Sequence, residues 1–176
     1  MPKFSEIPQF LTGNYGADVP LGYLERWLTS QGDELDLDPD FQRGHVWTPD
    51  QQSRFMEFLL RGGKSSRTIY WNHPSYTNSP SPNCSLPPKL VIVDGKQRLT
   101  TLRLFLQDKV NVFGHPYSQY EDPKNILGPS GPNLRMQINN LQTRKEVLQW
   151  YLELNDGGTV HTSEELTRVR SLMTGL

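Results

Sequence analysis

The segment Leu90–Thr101, with the sequence LVIVDGKQRLTT, determines how this chain folds. Its first four residues form a continuous apolar run, which is typical of a central strand that is buried on both faces. Asp94 and Gly95 end that run, and from Lys96 onward leucines recur at the spacing of a helix. The segment therefore predicts a buried strand, a tight turn and a helix in direct succession.

Patterns on both sides of this segment predict further helices and strands. Thr48, Pro49 and Gln51 have the order of a capping box, in which two side chains and the helix backbone hydrogen-bond reciprocally. Composition rich in proline and glycine predicts long loops at 72–88 and 114–133. Predicted helices start near residues 21, 48, 96, 143 and 162, and predicted strands span 35–41, 67–71, 90–93 and 134–138. This order is typical of a mixed α/β or α+β domain.

Length and composition indicate one globular domain. The 176 residues fit a single core. Residues 1–19 lack a sustained period and are expected to form an N-terminal extension, with the domain at 20–176. Lys and Arg number 18 against 19 Asp and Glu, so no overall positive field attracts nucleic acid or an anionic membrane. Any anion site must therefore be local.

Cysteine content and hydropathy indicate in which cellular compartment the protein resides. Cys84 is the only cysteine and cannot form an internal disulfide or a multi-cysteine zinc site. No apolar run has the length of a membrane span, and the start, MPKFSEIPQF, lacks the apolar stretch of a signal peptide. The expectation is a cytoplasmic protein without a membrane partner.

The first turn of the helix after Gly95 is the most informative candidate site. Lys96 and Arg98 put two cations at a helix start, where unpaired N–H groups already carry partial positive charge. Each costs on the order of a few tenths of a kcal/mol unless an anion is bound nearby. The alternative is that Asp94 caps the helix, Gln97 completes a capping box, and both cations point to solvent. The sequence leaves both interpretations open.

Two other basic groups are weaker candidates. Arg43 in the segment Phe41–Trp47, FQRGHVW, could bind a phosphate through two parallel hydrogen bonds. The residues alone favour a surface arginine stacked on Trp47. A further basic group beside a glycine-rich turn consists of Arg61, Lys64 and Arg67. These side chains could contact a nucleic-acid backbone, although a solvated loop is the favoured interpretation.

Three apparent motifs do not meet their requirements. Gly63–Ser65 resembles the end of a P-loop, but Phe58 stands where the pattern needs glycine. Asp36, Asp38 and Asp40 resemble a calcium loop without its required glycine, so outward carboxylates of an edge strand are predicted instead. The four histidines are scattered without paired ligand spacing, so no metal site is predicted.

Three segments, taken together, resemble a known family. PDFQRGHVW at 39–47, VIVDGKQRLTTL at 91–102 and LELNDGGTVHTSEEL at 152–166 look like motifs of the N-terminal domain of GmrSD-type, modification-dependent (type IV) restriction enzymes. The resemblance covers nearly the whole chain, residues 20–173. It implies the fold of the related ParB and sulfiredoxin-like proteins, a compact α+β domain with a small mixed sheet flanked by helices.

The resemblance also implies that individual residues bind a nucleoside triphosphate, with Mg²⁺ as a potential companion. Asp94, Gly95, Gln97 and Arg98 match the family's motif, and Asn155 matches a secondary position. We expect Asp94 and Arg98 to be catalytic, with Asp94 holding Mg²⁺ or orienting water. The family usually has glutamine where this chain has Lys96, so the resemblance supports phosphate binding more strongly than turnover. The implied phosphate-binding residues are Gln42, Arg43, Gly95, Lys96, Gln97 and Arg98.

Two functions follow as expectations. The first is a stand-alone domain that binds nucleoside triphosphates, with weak hydrolysis left open, as sensor or regulator in DNA restriction or anti-restriction. No His-Asn-His constellation follows the last motif, so DNA cleavage is expected from a separate nuclease subunit. The alternative is a non-enzymatic module that binds DNA or a partner protein, such as a phage-encoded inhibitor of a host restriction enzyme.

Overall fold

The computed structural model describes residues 11, 13–42, 44, 46–156 and 163–174. They form an α+β domain with one five-stranded sheet, which confirms the predicted fold class. The strands are β1 (Tyr15–Pro20), β2 (Leu35–Asp36), β3 (Thr68–Asn72), β4 (Leu90–Asp94) and β5 (Asn133–Asn139). The α-helices are α1 (Leu21–Gln31), α2 (Pro49–Leu60), α3 (Lys96–Leu106), α4 (Pro123–Leu127), α5 (Arg144–Asp156) and α6 (Ser163–Met173). Short 3₁₀ turns lie at Gly32–Glu34 and Tyr117–Gln119.

The sheet is mixed and open. Its strand order is β1-β5-β3-β4-β2. β5 runs antiparallel to β1 and parallel to β3, while β4 runs antiparallel to β3 and parallel to β2. β2 is therefore an edge strand, and β4 lies inside the sheet, as its continuous apolar run predicts.

Apolar clusters cover both faces of β4. Leu90 and Ile92 belong to the larger cluster, which also contains buried residues of α1, α2 and α3. Val93 belongs to the smaller cluster, which is built mainly from α5 and α6. Successive residues of a strand point to opposite faces, so the prediction that β4 is buried on both faces is confirmed.

The predicted capping boxes at Thr48 and Thr143 are present. The Thr48 hydroxyl accepts a hydrogen bond from the Gln51 backbone N–H at 3.3 Å, and the Gln51 side chain accepts from the Thr48 N–H at 2.9 Å. Thr143 and Glu146 form the same reciprocal pair, at 3.3 Å and 2.9 Å, where α5 begins. The third predicted box, at Thr162, falls outside the described residues.

The structure differs from the sequence prediction at both edges of the sheet. β1 pairs with β5 in a segment that shows no periodicity, so residues 15–19 belong to the sheet rather than to an extension. Only Val19 of this strand is buried, which explains the missing pattern. β2 pairs with β4 over only two residues, not over the whole predicted extended segment 35–41. Within the described ranges, no helix is long and apolar enough to cross a membrane.

Candidate functional site

Gly95 makes the turn from β4 into α3. Its φ of +99° lies in the left-handed region, which favours glycine. A Cβ atom at this position would lie 3.1 Å from the Cα of Ile69 on β3, so a side chain would also crowd the sheet. The glycine thus lets the N-terminus of α3 start directly at the ends of β3 and β4.

The N-terminus of α3 has no side-chain cap among the described residues. Gly95 is the N-cap residue, and no described side chain hydrogen-bonds to this end of the helix as a cap. The Asp94 carboxylate pairs with the Arg98 guanidinium instead, and Gln97 turns away to residues 44–47. The alternative interpretation of this segment as a D-x-x-Q capping box is therefore wrong. The backbone N–H groups of the first turn keep their capacity to bind an anion.

Lys96 and Arg98 lie on opposite sides of α3, because residues two positions apart in a helix are separated by about 200° around its axis. The Lys96 ammonium pairs with Asp38, beyond the end of β2. Arg98 pairs with Asp94 and donates a second hydrogen bond to the Ser66 carbonyl, before β3, at 3.2 Å. Their side chains are only 13% and 15% exposed, so neither cation points freely to solvent. The structure does not bring the two charged groups together.

Gln97 fastens a second segment to the first turn of α3. Its Oε1 accepts hydrogen bonds from the backbone N–H groups of Val46 at 2.9 Å and Trp47 at 3.3 Å. Its Nε2 donates to the Gly44 carbonyl at 3.0 Å. Both polar atoms of the amide are therefore engaged in positioning the backbone of Gly44, Val46 and Trp47.

Gln42 fastens the same segment to β4. Its Nε2 donates to the carbonyls of Ile92 at 2.7 Å and Val93 at 2.9 Å. β2 pairs only with Leu90 and Val91, so this edge strand uses neither carbonyl in a ladder hydrogen bond. The chain is thus tied down at Gln42 and again from Gly44, while Arg43, the predicted phosphate ligand between them, lies outside the described residues.

Asn155 lies apart from this arrangement. It is 8% exposed near the end of α5, and its Nδ2 donates to the Tyr151 carbonyl at 2.5 Å. The structure gives it no hydrogen bond to the β4–α3 turn within the described ranges. Gly157 and Gly158, predicted to end this helix, lie outside those ranges.

Sequence reasoning missed the carboxylate partners of the site. Asp38 and Asp40 are not outward carboxylates of a strand, because β2 ends at Asp36. Asp38 pairs with Lys96, and Asp40 pairs with Arg144 at 2.8 Å. The alternating acidic run was the available signal, but its partners lie far away in sequence. No group of three or more metal-ligating side chains occurs in the part of the chain that the structure describes.

Comparison with known families assigns the chain. A family model described as the N-terminal domain of the GmrSD restriction endonuclease matches residues 24–156. The chain belongs to this family. The matched range contains both tied segments of the GmrSD N-terminal domain, Gln42–Trp47 and Asp94–Arg98, and Asn155. The resemblance inferred from the motifs is thereby confirmed, and membership indicates a role in restriction systems. Among curated proteins and solved structures, the comparisons find no match to the chain.

Proposed function

We propose that the β4–α3 turn and the segment Gln42–Trp47 bind the phosphates of a nucleoside triphosphate, as sensor or regulator of a restriction system. The observation that carries this proposal is the pair of glutamine braces, since Gln42 and Gln97 hold that segment at the uncapped start of α3. Unpaired N–H groups and the helix dipole favour a phosphate at such a start. The braces give the site two walls instead of a lone helix end.

Lys96 and Arg98 approach the proposed phosphates from the two sides of the turn. Each cation exchanges its carboxylate partner for a phosphate oxygen when the nucleotide binds. The exchange is inexpensive for Lys96 because Asp38 is 84% exposed, and ion pairs at the surface contribute only about 0–1 kcal/mol. Arg98 keeps its hydrogen bond to the Ser66 carbonyl as an anchor during the exchange.

Arg43 is the third cation of the proposed site. Its chain neighbours Gln42 and Gly44 are hydrogen-bonded to β4 and to the first turn of α3. A guanidinium carried on that segment suits bidentate contact with a phosphate. With Lys96 and Arg98 it supplies the positive charge that phosphoryl transfer needs around the transferring group.

Asp94 is proposed to hold a Mg²⁺ ion that arrives with the nucleotide, or to orient water. One carboxylate oxygen pairs with Arg98, and the other has no partner among the described residues. Mg²⁺ is usually held by one or two carboxylates together with substrate phosphates, so this single carboxylate fits the ion. When bound, the ion neutralises charge on the phosphates.

Asn155 is a secondary, positioning residue in this proposal. It is buried in α5, the helix that supplies most of the smaller cluster against Val93 of β4. Its amide holds the last turn of α5 through the Tyr151 carbonyl. Loss of Asn155 is therefore expected to loosen the support of β4 without removing a phosphate contact.

DNA cleavage belongs to a separate nuclease domain or subunit in this proposal. The matched family is, by its description, the N-terminal domain of a restriction endonuclease. We infer that nucleotide binding by residues 24–156 regulates that nuclease. DNA is then a partner of the assembly.

The test compares binding and hydrolysis of the four ribonucleoside triphosphates with Mg²⁺, with and without DNA. Arg98→Ala is expected to weaken binding at least about tenfold, since a hydrogen bond to a charged group contributes about 1.5–3 kcal/mol. Arg103→Ala is the matched control, because Arg103 lies on the same helix and pairs with Glu25 at 3.0 Å. Undetectable binding at millimolar nucleotide, or equal losses in both variants, would contradict the proposal. Binding without phosphate release would make the domain a sensor that does not hydrolyse.

The non-enzymatic alternative has one supporting observation. Carboxylates match Lys96 and Arg98, so these two cations of the turn bring no excess charge. In this alternative the ion pairs are structural, and the domain binds DNA or a protein elsewhere. A salt titration separates the two partners, because binding to a DNA backbone weakens steeply as salt rises.

A further inference from the structure

A cleft of about 640 Å³ lies between the end of α2 with its following turn and the chain at 113–133. Small-molecule sites typically measure about 300–1,000 Å³, so the cleft has the size of a ligand site. No residue of the β4–α3 turn lines it. The cleft is therefore a separate surface from the proposed triphosphate site.

The cleft carries unmatched positive charge. Arg61, Lys64 and Arg67 line it, and no aspartate or glutamate does so among the residues that the structure describes. Arg67 is matched by Asp18 at 2.8 Å. Neither Arg61 nor Lys64 forms an ion pair within the described parts of the chain. Two cations without a carboxylate partner in a concave wall attract an anion, because the low-dielectric walls concentrate their field.

An aromatic ring stands at the same cleft. Phe113 is 43% exposed, and its φ of +49° places a non-glycine residue in the costly left-handed region. Its backbone N–H donates to Glu57 of α2 at 3.3 Å, which helps to fix this conformation. The Arg61 guanidinium lies over this ring, 5.2 Å from its centroid, in a cation–π contact. The ring and a cation that has no carboxylate partner among the described residues thus lie together at the cleft.

We propose that this cleft binds a nucleotide unit, with its phosphate on Arg61 and Lys64 and its base against Phe113. The source is a free mononucleotide or one unit of a single strand, which share this chemistry. A duplex hides its base faces, so stacking on an aromatic side chain requires an unpaired base. An acidic peptide would satisfy the cations but would leave the ring unused. This site does not depend on the proposed function of the β4–α3 turn.

The test is fluorescence anisotropy of a labelled oligothymidylate of about ten nucleotides, within the range that single-strand sites cover. The double variant Arg61→Ala/Lys64→Ala is expected to lower the affinity at least tenfold, and to reduce the slope of log affinity against log salt by about 1.4. Phe113→Leu is expected to lower the affinity about tenfold through lost stacking. Arg54→Ala is the control, since Arg54 is exposed on α2 outside the cleft. The affinity of this variant for the oligothymidylate is expected to stay unchanged.

Competition identifies the source of the nucleotide unit. Displacement by millimolar thymidine monophosphate supports the free nucleotide, and displacement by unlabelled strand alone supports the single strand. Equal displacement by duplex DNA or by polyglutamate would overturn the proposal. So would an equal loss in Arg98→Ala, which would move the binding to the β4–α3 turn. Arg61→Lys/Lys64→Arg keeps both charges and is expected to retain binding, which separates lost contacts from a lost fold.

Discussion

The β4–α3 turn and the cleft beside α2 both present cations, but the cations differ in burial and in whether a carboxylate pairs with them. Lys96 and Arg98 in the turn are mostly buried and each has a carboxylate partner. Arg61 and Lys64 at the cleft are exposed and have none among the described residues. A cation taken out of water needs a counter-charge, whereas an exposed one does not. Cations that are paired with carboxylates therefore keep a fixed position until an anion displaces the carboxylate. Cations without such a partner can bind an anion without displacing one.

Two glycines give the sharpest contrast between these regions. Gly95 in the turn and Gly62 beside the cleft both have left-handed φ, +99° and +82°. A Cβ at Gly95 would meet Ile69, but one at Gly62 would meet nothing within 4 Å. We expect Gly95→Ala to lower the free energy of unfolding by about 3 kcal/mol, and Gly62→Ala by about 1 kcal/mol. Urea denaturation measures both, and equal losses would show that the turn is not tightly packed.

The glutamine brace gives the next largest effect. Gln97→Ala removes three hydrogen bonds that hold Gly44, Val46 and Trp47 to α3. We expect a loss of about 1–1.5 kcal/mol in unfolding free energy, because the freed backbone groups can reach water. Triphosphate affinity is expected to fall as well, since one wall of the site is released. Gln149→Ala, on the exposed face of α5, is the control and should change neither quantity.

The carboxylates of the turn predict a gain instead of a loss. Asp38→Asn frees Lys96 from its ion pair, so a phosphate no longer has to displace a carboxylate. We expect triphosphate to bind up to about fivefold more tightly, which corresponds to about 1 kcal/mol for a pair at the surface. Titration calorimetry with wild type and variant checks this. Weaker binding by Asp38→Asn would mean that the ion pair positions Lys96 for the phosphate instead of competing with the phosphate for it.

The smallest effect concerns Asp18, which matches Arg67 at the cleft. The hydrogen bond from Arg67 lowers the pKa of this carboxyl below its ordinary value of 3.8. Because the folded-state pKa is depressed, the pair stabilises the fold above pH 3.8 and loses this effect as pH falls through the folded pKa. Asp18→Asn is therefore expected to cost about 0.5 kcal/mol at pH 7, since the Asp18 side chain is 42% exposed and solvent screens the pair. Urea denaturation at acidic pH should bring wild type and variant together, and a constant gap would contradict this assignment.

Local patterns predicted the elements that local forces build. β4, α3 and the Thr48 box follow from runs, periods and caps within a few residues. β1 could not be predicted, because its partner β5 lies far along the chain. Only Val19 of its six residues is buried, so the sequence shows no clear alternation of apolar and polar residues. Edge strands of this kind are fixed by tertiary pairing.

The residues of the candidate site stay a prediction, and only part of their geometry follows from the sequence. The helical period alone implies that the side chains of Lys96 and Arg98 diverge, since residues two positions apart are separated by about 200° around the helix axis. The partners Asp38 and Ser66 depend on how β2 and β3 flank β4, which no local pattern contains. The same holds for the bonds from Gln42 to β4.

The most direct test of the central claim is a nuclear magnetic resonance titration of the full chain with Mg²⁺ and a nucleoside triphosphate. The backbone amide signals of Lys96–Arg98, at the uncapped start of α3, report phosphate binding there. We predict saturable shifts of these amides and of Gly44, Val46 and Trp47, with the same midpoint. Shifts confined to Arg61–Arg67 and Phe113, or no saturable shift of the α3 amides, would contradict the account.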